Sequence, residues 1–467
     1  MIKRLAIIIF TVFLILFSAI FYLSIFGVKT NKFNNQITKS ILKIDKRINL
    51  NLSDIHYLLN PYNFTINIKT KNPQILLEGR SLGINKIQTN VALKSLINDQ
   101  FKIDNMEIIT KEIKLNDVIA LVRVFQNSPQ LFILDTIIKD GLVIANINLS
   151  FDEKGKVKKN YKIEGSVKKV KLNIFNQVKL KNLNFNYSID NKTYSLKQIN
   201  TRINNTKITS PLIEIKKDKS LFFVKGHILN DQKNFDIEEL NFIFSNLPKN
   251  VDIQKVRFSS KNKFSFNINQ RLKVDNIDVE SVIELDQLIF NKKNLKLKPY
   301  FPNFKEKIKL EEHNIVINYK KNKFKIKGEG KILLEEKSDN LSYQITKDKK
   351  HISFNSRINL KNNSLILDLL DFEKREGLNS LVSIKGDFKN NNQLSFNLIN
   401  LKEKNNEISI KGLVLNESFK IIDLENFEVN YKNNKKILNS LNLKKDNSNF
   451  IIEGESFDAS KIINIIM

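Results

Sequence analysis

The feature that most constrains the fold of this chain is a two-residue alternation of apolar and polar side chains. In the stretch LNFNYSID, residues 183–190, asparagine, serine and aspartate alternate with four apolar residues: Leu183, Phe185, Tyr187 and Ile189. Successive side chains of a β-strand point to opposite faces, so such a strand has one apolar face and one polar face. Something must cover the apolar face, whether another part of the chain or a ligand.

The same alternation returns along most of residues 130–457. It predicts strands at YKIEGSVKKVKLNIF (161–175), KFSFNIN (263–269), HNIVINY (313–319), KFKIKGEGKILL (323–334), QLSFNLINL (393–401) and EISIKGLVLN (407–416). Segments rich in Asn and Lys separate these strands and predict hairpin turns, as at NNKK (433–436) and KNNN (389–392). Helical periodicity is nearly absent from this region, so the sequence predicts a mainly β fold.

A short pattern of an apolar residue, then Lys or Glu, then Gly recurs in the predicted strands. It ends at Gly165, Gly226, Gly328, Gly386, Gly412 and Gly454. The spacing is irregular, which indicates a loose structural repeat and argues against a fixed-period array. Glycine inside a strand is typical of a bulge or bend, and such positions let a sheet curve.

The sequence contains few of the residues that usually mark boundaries between domains. A string of β-sandwiches would need a boundary about every 100 residues, marked by linkers rich in Pro, Gly and Ser. The 467-residue chain has only 13 Gly and 7 Pro, and no Pro follows Pro302. The pattern therefore favours one elongated, curved antiparallel β-sheet, with a few short helices near the N-terminus.

An uncharged apolar run occupies residues 5–26. As a helix with a rise of ~1.5 Å per residue it would be about 33 Å long, which is enough to cross a bilayer. Lys3 and Arg4 precede it, which predicts a single-pass protein of the bacterial inner membrane with a cytoplasmic N-terminus and a periplasmic bulk. A cleavable signal peptide is the alternative, but its apolar run is usually about 7–15 residues and ends at a small-residue cleavage site.

Three regions follow from these patterns. Residues 1–29 form the anchor, residues 30–129 hold short helices and strands, and residues 130–467 form the elongated sheet and end in a short helix. Within the second region, residues 34–44 are predicted to continue the anchor as an amphipathic stem, with Ile37, Ile41 and Ile44 at helical spacing.

Two local predictions concern the same region. The segment LNDVIALVRVF (115–125) predicts a helix, because its apolar residues share one face, and Asn116 or Asp117 is predicted to cap its start. A short turn is predicted around residues 53–59, with extended segments on either side of Pro61 and Pro73.

Charge and composition exclude several functions. Lys and Arg number 77 against 49 Asp and Glu, a net charge of +28, but the basic residues are mostly Lys, spread along the whole chain. Without Arg clusters and interleaved aromatic residues, a nucleic-acid partner is not expected. Zero Cys excludes disulfides, the four His are widely separated, and neither a G-x-S-x-G motif nor a P-loop occurs. We therefore expect no catalytic residue, no metal and no cofactor.

With these features the chain resembles the AsmA-like family of bacterial envelope proteins, a bridge-like lipid-transfer group that includes TamB-like and YhdP-like members. The resemblance lies in the N-terminal anchor and in three segments: LNLSDIHYLLNPYNFTINIKTKNPQILLEG (50–79), INKIQTNVALKSLINDQFKIDNMEII (84–109) and EGESFDASKIINII (453–466), with Gly454, Asp458 and Ala459 at matching places. It implies a β-groove with a lipid-lined interior that moves phospholipids between the inner and outer membranes.

The apolar faces are the candidate site. The residues expected to line the groove are Leu183, Phe185, Tyr187, Ile189, Phe264, Phe266, Ile268, Ile315, Ile317, Phe324 and Ile326. The alternation alone is equally compatible with a closed core between two sheets, and the resemblance favours the groove. In the loop KPYFPNF (298–304), Tyr300 and Phe301 could contact lipid, but a packed connection is the expected role. Asp458 is expected to cap a short helix.

These observations give two hypotheses for function. The first is a non-enzymatic, membrane-anchored periplasmic protein whose groove binds and conducts phospholipids, with other envelope proteins as possible partners. The second is an envelope assembly factor with a closed β core, which influences outer-membrane protein insertion through contacts at exposed strand edges.

Overall fold

The computed structural model of the chain is mainly β, as the alternation predicts. Strands account for 68% of the chain, arranged antiparallel behind one apolar N-terminal helix. The structure describes residues 2–31, 34, 38, 48–53, 55–77, 80–93, 103–125, 128–152, 157–174, 178–203, 206–231, 235, 251–292, 296–348, 351–388, 393–447, 449–461 and 463. The predicted fold class is therefore confirmed, whereas Ile37, Ile41 and Ile44 of the predicted stem lie outside the described residues.

Three α-helices are described within residues 2–137. The first, α1 (Ile2–Ile25), contains the span Lys3–Ile25, which is long and apolar enough to cross a membrane, as either an anchor or a signal sequence. The predicted helix at residues 115–125 is confirmed as α2 (Leu115–Phe125). A further helix, α3 (Pro129–Ile137), is absent from the sequence-based prediction.

The helix caps differ from the prediction. Neither Asn116 nor Asp117 caps α2, because the helix begins before them and both lie in its first turn. The Asn116 amide instead donates to the Ile138 carbonyl oxygen at 3.4 Å. α3 does have a cap: the Ser128 hydroxyl accepts a backbone N–H of the first turn, and Pro129 opens the helix with a φ angle already suited to it.

Thirty strands are described. The first fifteen are β1 (Val28–Thr30), β2 (Ile48–Asn51), β3 (Ile55–Asn60), β4 (Thr65–Lys71), β5 (Gln74–Leu77), β6 (Arg80–Ala92), β7 (Ile103–Thr110), β8 (Ile113–Lys114), β9 (Ile138–Ser150), β10 (Lys162–Ile174), β11 (Val178–Ile189), β12 (Thr193–Ile203), β13 (Thr206–Asp218), β14 (Leu221–Asn230) and β15 (Val251–Asn269). The other fifteen are β16 (Val274–Lys292), β17 (Ile308–Lys320), β18 (Lys323–Leu333), β19 (Ser338–Asp348), β20 (His351–Leu360), β21 (Leu365–Leu367), β22 (Phe372–Lys374), β23 (Ser380–Phe388), β24 (Leu394–Glu403), β25 (Asn406–Lys411), β26 (Leu413–Leu415), β27 (Ile421–Asp423), β28 (Asn426–Lys432), β29 (Leu438–Asp446) and β30 (Asn449–Ser456).

The chain divides into two compact units. Unit 1 contains Met1–Asn204, Thr209–Val224 and Ile268–Lys273, and unit 2 contains Asn205–Ile208, Lys225–Asn267 and Val274–Met467. In unit 1, nine strands pair antiparallel in the order β1-β3-β4-β6-β7-β9-β10-β11-β12. β5 pairs with β2 and β6, and β8 pairs with β9.

The predicted turn at residues 53–59 is wrong, since β3 (Ile55–Asn60) occupies most of it. β3 is extended because it has a hydrogen-bonded neighbour on each side, β1 and β4. The residue that indicated a turn, Ser53, lies just before β3, where its hydroxyl donates to the Lys71 carbonyl oxygen at 2.6 Å.

In unit 2, consecutive strands form a long antiparallel ladder. β16, β17, β18, β19, β20, β23 and β24 pair in that order. β24 then pairs with β25 and, further along its length, with β26, and the ladder ends in β28, β29 and β30. The predicted strand at residues 407–416 is interrupted at Gly412, whose φ is +63°. The predicted hairpin turn at residues 433–436 is confirmed between β28 and β29.

The main core of unit 2 lies at one end of the strands and extends across the ladder from β17 to β29. Val429 and Tyr431 of β28 are its most buried members, and Phe372 of the β21–β22 hairpin packs edge-on to the Tyr431 ring. The loop KPYFPNF contributes Phe301 and Phe304, both buried, while Tyr300 stays 46% exposed. The expectation that this loop is a packed connection is confirmed for its two Phe residues.

The glycines of the recurrent pattern are only partly explained by bulges. The register shifts beside Gly386 and Gly454, as predicted, but runs without a shift through Gly165 and Gly328. At Gly328 a Cβ atom would lie 2.3 Å from Cζ of Tyr343, so the glycine makes room for an aromatic ring on the neighbouring strand.

Candidate functional site

The strand register decides which side chains share a face. Directly opposed residues of antiparallel strands lie on the same side of the sheet. In unit 1 the register joins one residue from each of nine strands into a line that we call row 1. Row 1 consists of Thr30, Ile55, Thr70, Ile87, Ile108, Ile147, Ile163, Ile189 and Tyr194. Seven of its nine residues are Ile or Tyr, so the row is mostly apolar, with Thr70 as its one internal polar residue.

Unit 2 contains a longer line of the same kind, which we call row 2. Row 2 consists of Ile283, Ile315, Gly328, Tyr343, Ser356, Ile384, Ile399, Ile410, Phe427, Leu443 and Ile452. Neighbouring strands lie about 4.8 Å apart, so a line across eleven strands is about 48 Å long. The Tyr343 ring covers Gly328, which keeps the track apolar at the one position without a side chain.

The chain covers row 2 incompletely. Gly328 is buried, Ile452 is 66% exposed, and the other side chains of the row are half-buried. Completing the burial of an Ile, Leu or Phe that is about a quarter exposed contributes about 0.5 kcal/mol, a quarter of the value for full burial. A ligand over the eight half-buried apolar members would gain on the order of 4 kcal/mol before its own ordering costs.

Burial changes from one side of row 2 to the other. On one side of row 2 lie the side chains two positions further along the strands. Three of them, Leu401, Ile408 and Val429, belong to the closed core of unit 2. In the other direction the apolar face opens, and Phe388 and Ile421 are 39% and 67% exposed. Row 2 is therefore the margin of a core, bounded by packed side chains on one side and open on the other.

The opposite face of the same strands is polar. A cavity of about 470 Å³ lies there, and its lining residues are Asn314, Val316, Lys327, Glu329, Ser342, Gln344, Asn355 and Arg357, together with Gly328 and Tyr343 of row 2. Of the eight residues outside row 2, all but Val316 have charged, amide or hydroxyl side chains. The two faces of the ladder therefore differ in character.

The candidate residues of β11 do not share one environment. Leu183, Phe185 and Tyr187 pack against a buried cluster of unit 1 that includes Ile119 of α2. The Tyr187 hydroxyl donates to the Ile144 carbonyl oxygen at 3.2 Å, and burial raises its pKa. Ile189 instead lies in row 1. For three of the four alternating residues, the chain itself supplies the cover.

The remaining candidates lie in β15, β17 and β18. Phe264 and Phe266 stack on each other with ring centroids 5.8 Å apart. Ile315 lies in row 2 and also packs against the small buried cluster of Val256 and Leu285. Three other candidates lie beside row 2 on the same face: Ile317, Phe324 and Ile326, of which Ile317 and Ile326 are directly opposed. Ile268 of β15 is half-buried.

Most of row 2 is missing from the sequence-based candidates. Ile384, Ile399, Ile410, Phe427 and Leu443 all lie in alternating segments, so the signal for an apolar face was present at each. The alternation does not give the register, and only the register shows that these residues form one line.

Row 1 begins directly after the apolar helix. β1 starts three residues beyond the end of α1 and pairs with β3, with Val28 opposite Tyr57. The His56 imidazole Nε2 lies 2.8 Å from the Phe26 carbonyl oxygen, which fixes the end of the helix against β3. The apolar face of unit 1 is therefore tied to the segment that could cross a membrane.

The C-terminal element is a short capped helical segment, in which the Ile463 N–H donates to the Ala459 carbonyl oxygen at 2.9 Å. The cap expected at Asp458 is confirmed, since its carboxylate accepts the Ser460 backbone N–H at 3.1 Å. Hydrogen bonds from the Ser460 hydroxyl and backbone lower the pKa of Asp458 to about 2. The Asn433 amide also donates to this carboxylate, at 3.1 Å. The element therefore closes the end of unit 2 through packing and hydrogen bonds.

Among the described residues, no group of three His, Asp or Glu side chains is placed to hold a metal ion. Comparison with protein-family models and with curated proteins found no match. The resemblance to the AsmA-like family therefore rests on the segments quoted above, and the apolar rows carry the functional argument.

Proposed function

We propose that the chain is a non-enzymatic, membrane-anchored protein that holds the acyl chains of phospholipids against the apolar rows of its sheet. The observation that carries the proposal is row 2, a half-buried apolar track across eleven strands. An apolar track of this length that the chain itself leaves incompletely covered is typical of a binding surface. The proposal includes the AsmA-like setting: α1 in the bacterial inner membrane, the bulk in the periplasm, and lipid moving toward the outer membrane.

Acyl chains suit this surface for a physical reason. Their recognition depends on buried apolar area and needs few directed hydrogen bonds, which agrees with a track made almost wholly of Ile, Leu, Phe and Tyr. Head groups would remain on the open side of row 2, in contact with water. Selectivity among lipids should therefore be broad.

The experiment makes row 2 polar without breaking the ladder. Ile384 and Ile399 are directly opposed, so the double variant Ile384→Lys/Ile399→Glu places an ion pair across β23 and β24. The matched control, Ser383→Glu/Asn400→Lys, places an ion pair one residue away on the polar face, with the lysine beside Glu407, whose carboxylate accepts the Asn400 amide at 3.0 Å. Each full-length variant is purified in mild detergent, and bound phospholipid is quantified by mass spectrometry.

The lipid that surrounds α1 in the purified protein is the same in all variants. Beyond that lipid, we expect the row 2 variant to lose the part of the retained lipid that row 2 holds. The control should keep it, because its pair lies on the face opposite row 2. Circular dichroism establishes that both variants fold. Equal lipid content in a folded row 2 variant and its control would overturn the proposal.

A second function, an envelope assembly factor, is favoured by the last strand. All eight residues of β30 are exposed, among them Phe450, Ile451 and Ile452, and β30 has one described neighbour, β29. An exposed apolar edge strand can add a strand from a partner protein. Under this alternative, the purified chain carries stoichiometric envelope proteins and no lipid beyond that around α1.

A further inference from the structure

The turn between β3 and β4 presents two aromatic rings to solvent. Tyr62 is 93% exposed and Phe64 is 71% exposed, so neither ring packs to any extent on the chain. The surrounding stretch, residues 57–68, has no charged residue, although 27% of the whole chain is charged. An uncharged, doubly aromatic tip is unusual on a surface this rich in Lys.

The turn is built to hold these rings outward. The Asn60 side-chain oxygen accepts the backbone N–H groups of Tyr62 and Asn63, at 3.1 and 3.4 Å. Pro61 fixes one backbone angle, and Phe64 has a φ of 49°, in the left-handed region. The Phe64 carbonyl oxygen accepts the Leu93 N–H at 2.8 Å. The tip is therefore pre-organised, and little ordering is needed when it binds.

The strand register places the turn beside the end of α1. β1 runs antiparallel to β3 with Val28 opposite Tyr57, so the chain reaches β1 from the side of the sheet where β3 ends. A Cβ atom on Gly27 would lie 3.0 Å from the Leu58 side chain, which shows how closely the helix end approaches β3. From Tyr57, three further residues of β3 lead to the turn, about 10 Å along the strand.

We infer that the tip of this turn, Tyr62 and Phe64, inserts into the interface of the phospholipid bilayer that α1 crosses. Tyr and other aromatic residues are favoured at the level of the head groups, where the ring meets apolar material and the hydroxyl meets water. The inference rests on the membrane-anchoring part of the proposed function and is independent of lipid binding on row 2. A second contact beside the helix fixes the first strands of row 1 against the membrane surface.

The chain has no Trp, which allows a direct test. Phe64→Trp in the full-length protein is a single fluorophore at the tip, and Phe419→Trp is its matched control. Phe419 is also 71% exposed, has a φ of 58° and lies in a turn closed by an Asn side chain, but Glu417 and Lys420 flank it. Both proteins are reconstituted into phosphatidylcholine vesicles with and without brominated acyl chains, and Trp is excited where Tyr does not absorb.

We expect Phe64→Trp to emit at shorter wavelength than Phe419→Trp and to lose about half its emission in brominated vesicles, because interfacial rings lie about 5–10 Å into the head-group and acyl boundary. Tyr62→Trp should behave in the same way, which guards against a defect of one variant. Unquenched, long-wavelength emission from both tip variants would overturn the inference, as would equal quenching of Phe419→Trp. Short-wavelength emission without quenching would assign the tip to a protein partner and overturn it too.

The two proposals fail separately. Bromolipid quenching of Phe64→Trp should be unchanged when Ile384→Lys/Ile399→Glu is added, since that pair lies in unit 2 and acts on lipid held by row 2. Loss of retained lipid with normal quenching supports both proposals. Normal quenching without any retained lipid in the wild type would overturn the function proposed for row 2 and leave the membrane contact standing.

Discussion

At the scale of single residues, His313 is the most consequential titratable group near row 2. It is 1% exposed, its Nε2–H donates to the Lys331 carbonyl oxygen at 2.9 Å, and its ring lies 5.8 Å from that of Tyr343. Within the described part of the chain, its Nδ1 atom is buried without a hydrogen-bond partner. Burial lowers the pKa of His313 below its ordinary 6.5, so the folded protein favours the neutral ring.

Acid should therefore destabilise the protein through His313. Below pH 6.5 the unfolded chain takes up a proton that the folded chain resists, so the free energy of unfolding falls with pH until the folded pKa is reached. The slope from one such group is at most about 1.4 kcal/mol per pH unit. Urea unfolding of wild type and His313→Gln between pH 7.5 and pH 5 measures it. Equal pH dependence in the two proteins would contradict this role.

At the scale of elements, the pairing of β18 with β19 depends on one glycine. Gly328 has the Tyr343 ring directly over it, and a Cβ there would approach three atoms of the ring within 3 Å. Gly328→Ala should therefore cost about 1–3 kcal/mol, the usual range for forcing an extra methyl group into a packed site. Tyr343→Ala removes the ring, so Gly328→Ala should cost much less in that background. Urea unfolding of the four proteins in this double-mutant cycle checks the coupling, and equal costs in both backgrounds would refute it.

The elements also show what the sequence could predict. The helical spacing of residues 115–125 gave α2 with its correct bounds, and two-residue alternation gave the strands of unit 2. β3 was not recognised as a strand because Pro61 and Ser53 flank it, and only its pairing with β1 and β4 holds it extended. α3 was not recognised because it is short and mostly apolar, so its pattern does not distinguish it from a strand.

The candidate site was less predictable than the fold, because a face is defined by neighbours distant in sequence. Leu183, Phe185 and Tyr187 alternate as clearly as any residues of row 2, yet a cluster that includes Ile119 of α2 packs against them. Alternation identifies an apolar face without showing what covers it. Moving a strand by two residues keeps every side chain on its face, so only the hydrogen-bonded register could reveal rows 1 and 2.

At the scale of the whole molecule, each unit has its own apolar row and its own core. Row 1 lies wholly in unit 1 and row 2 wholly in unit 2. The core of unit 1 includes residues of α2, β9 and β10. The core of unit 2 lies at one end of its strands, together with the loop at residues 298–304. Under the function proposed above, the lipid-binding surface would consist of two stretches that can be disabled separately.

We therefore expect the two rows to hold lipid independently. Ile147 and Ile163 are directly opposed in row 1, so Ile147→Lys/Ile163→Glu makes that row polar just as Ile384→Lys/Ile399→Glu does in row 2. Each double variant should lose part of the lipid that wild type retains, and the quadruple variant should lose the sum of the two losses, because sites without shared partners act additively. Mass spectrometry of the four purified proteins measures the losses. If either pair alone removed all the retained lipid, the rows would be one coupled site, and the independence argued from the two cores would be wrong.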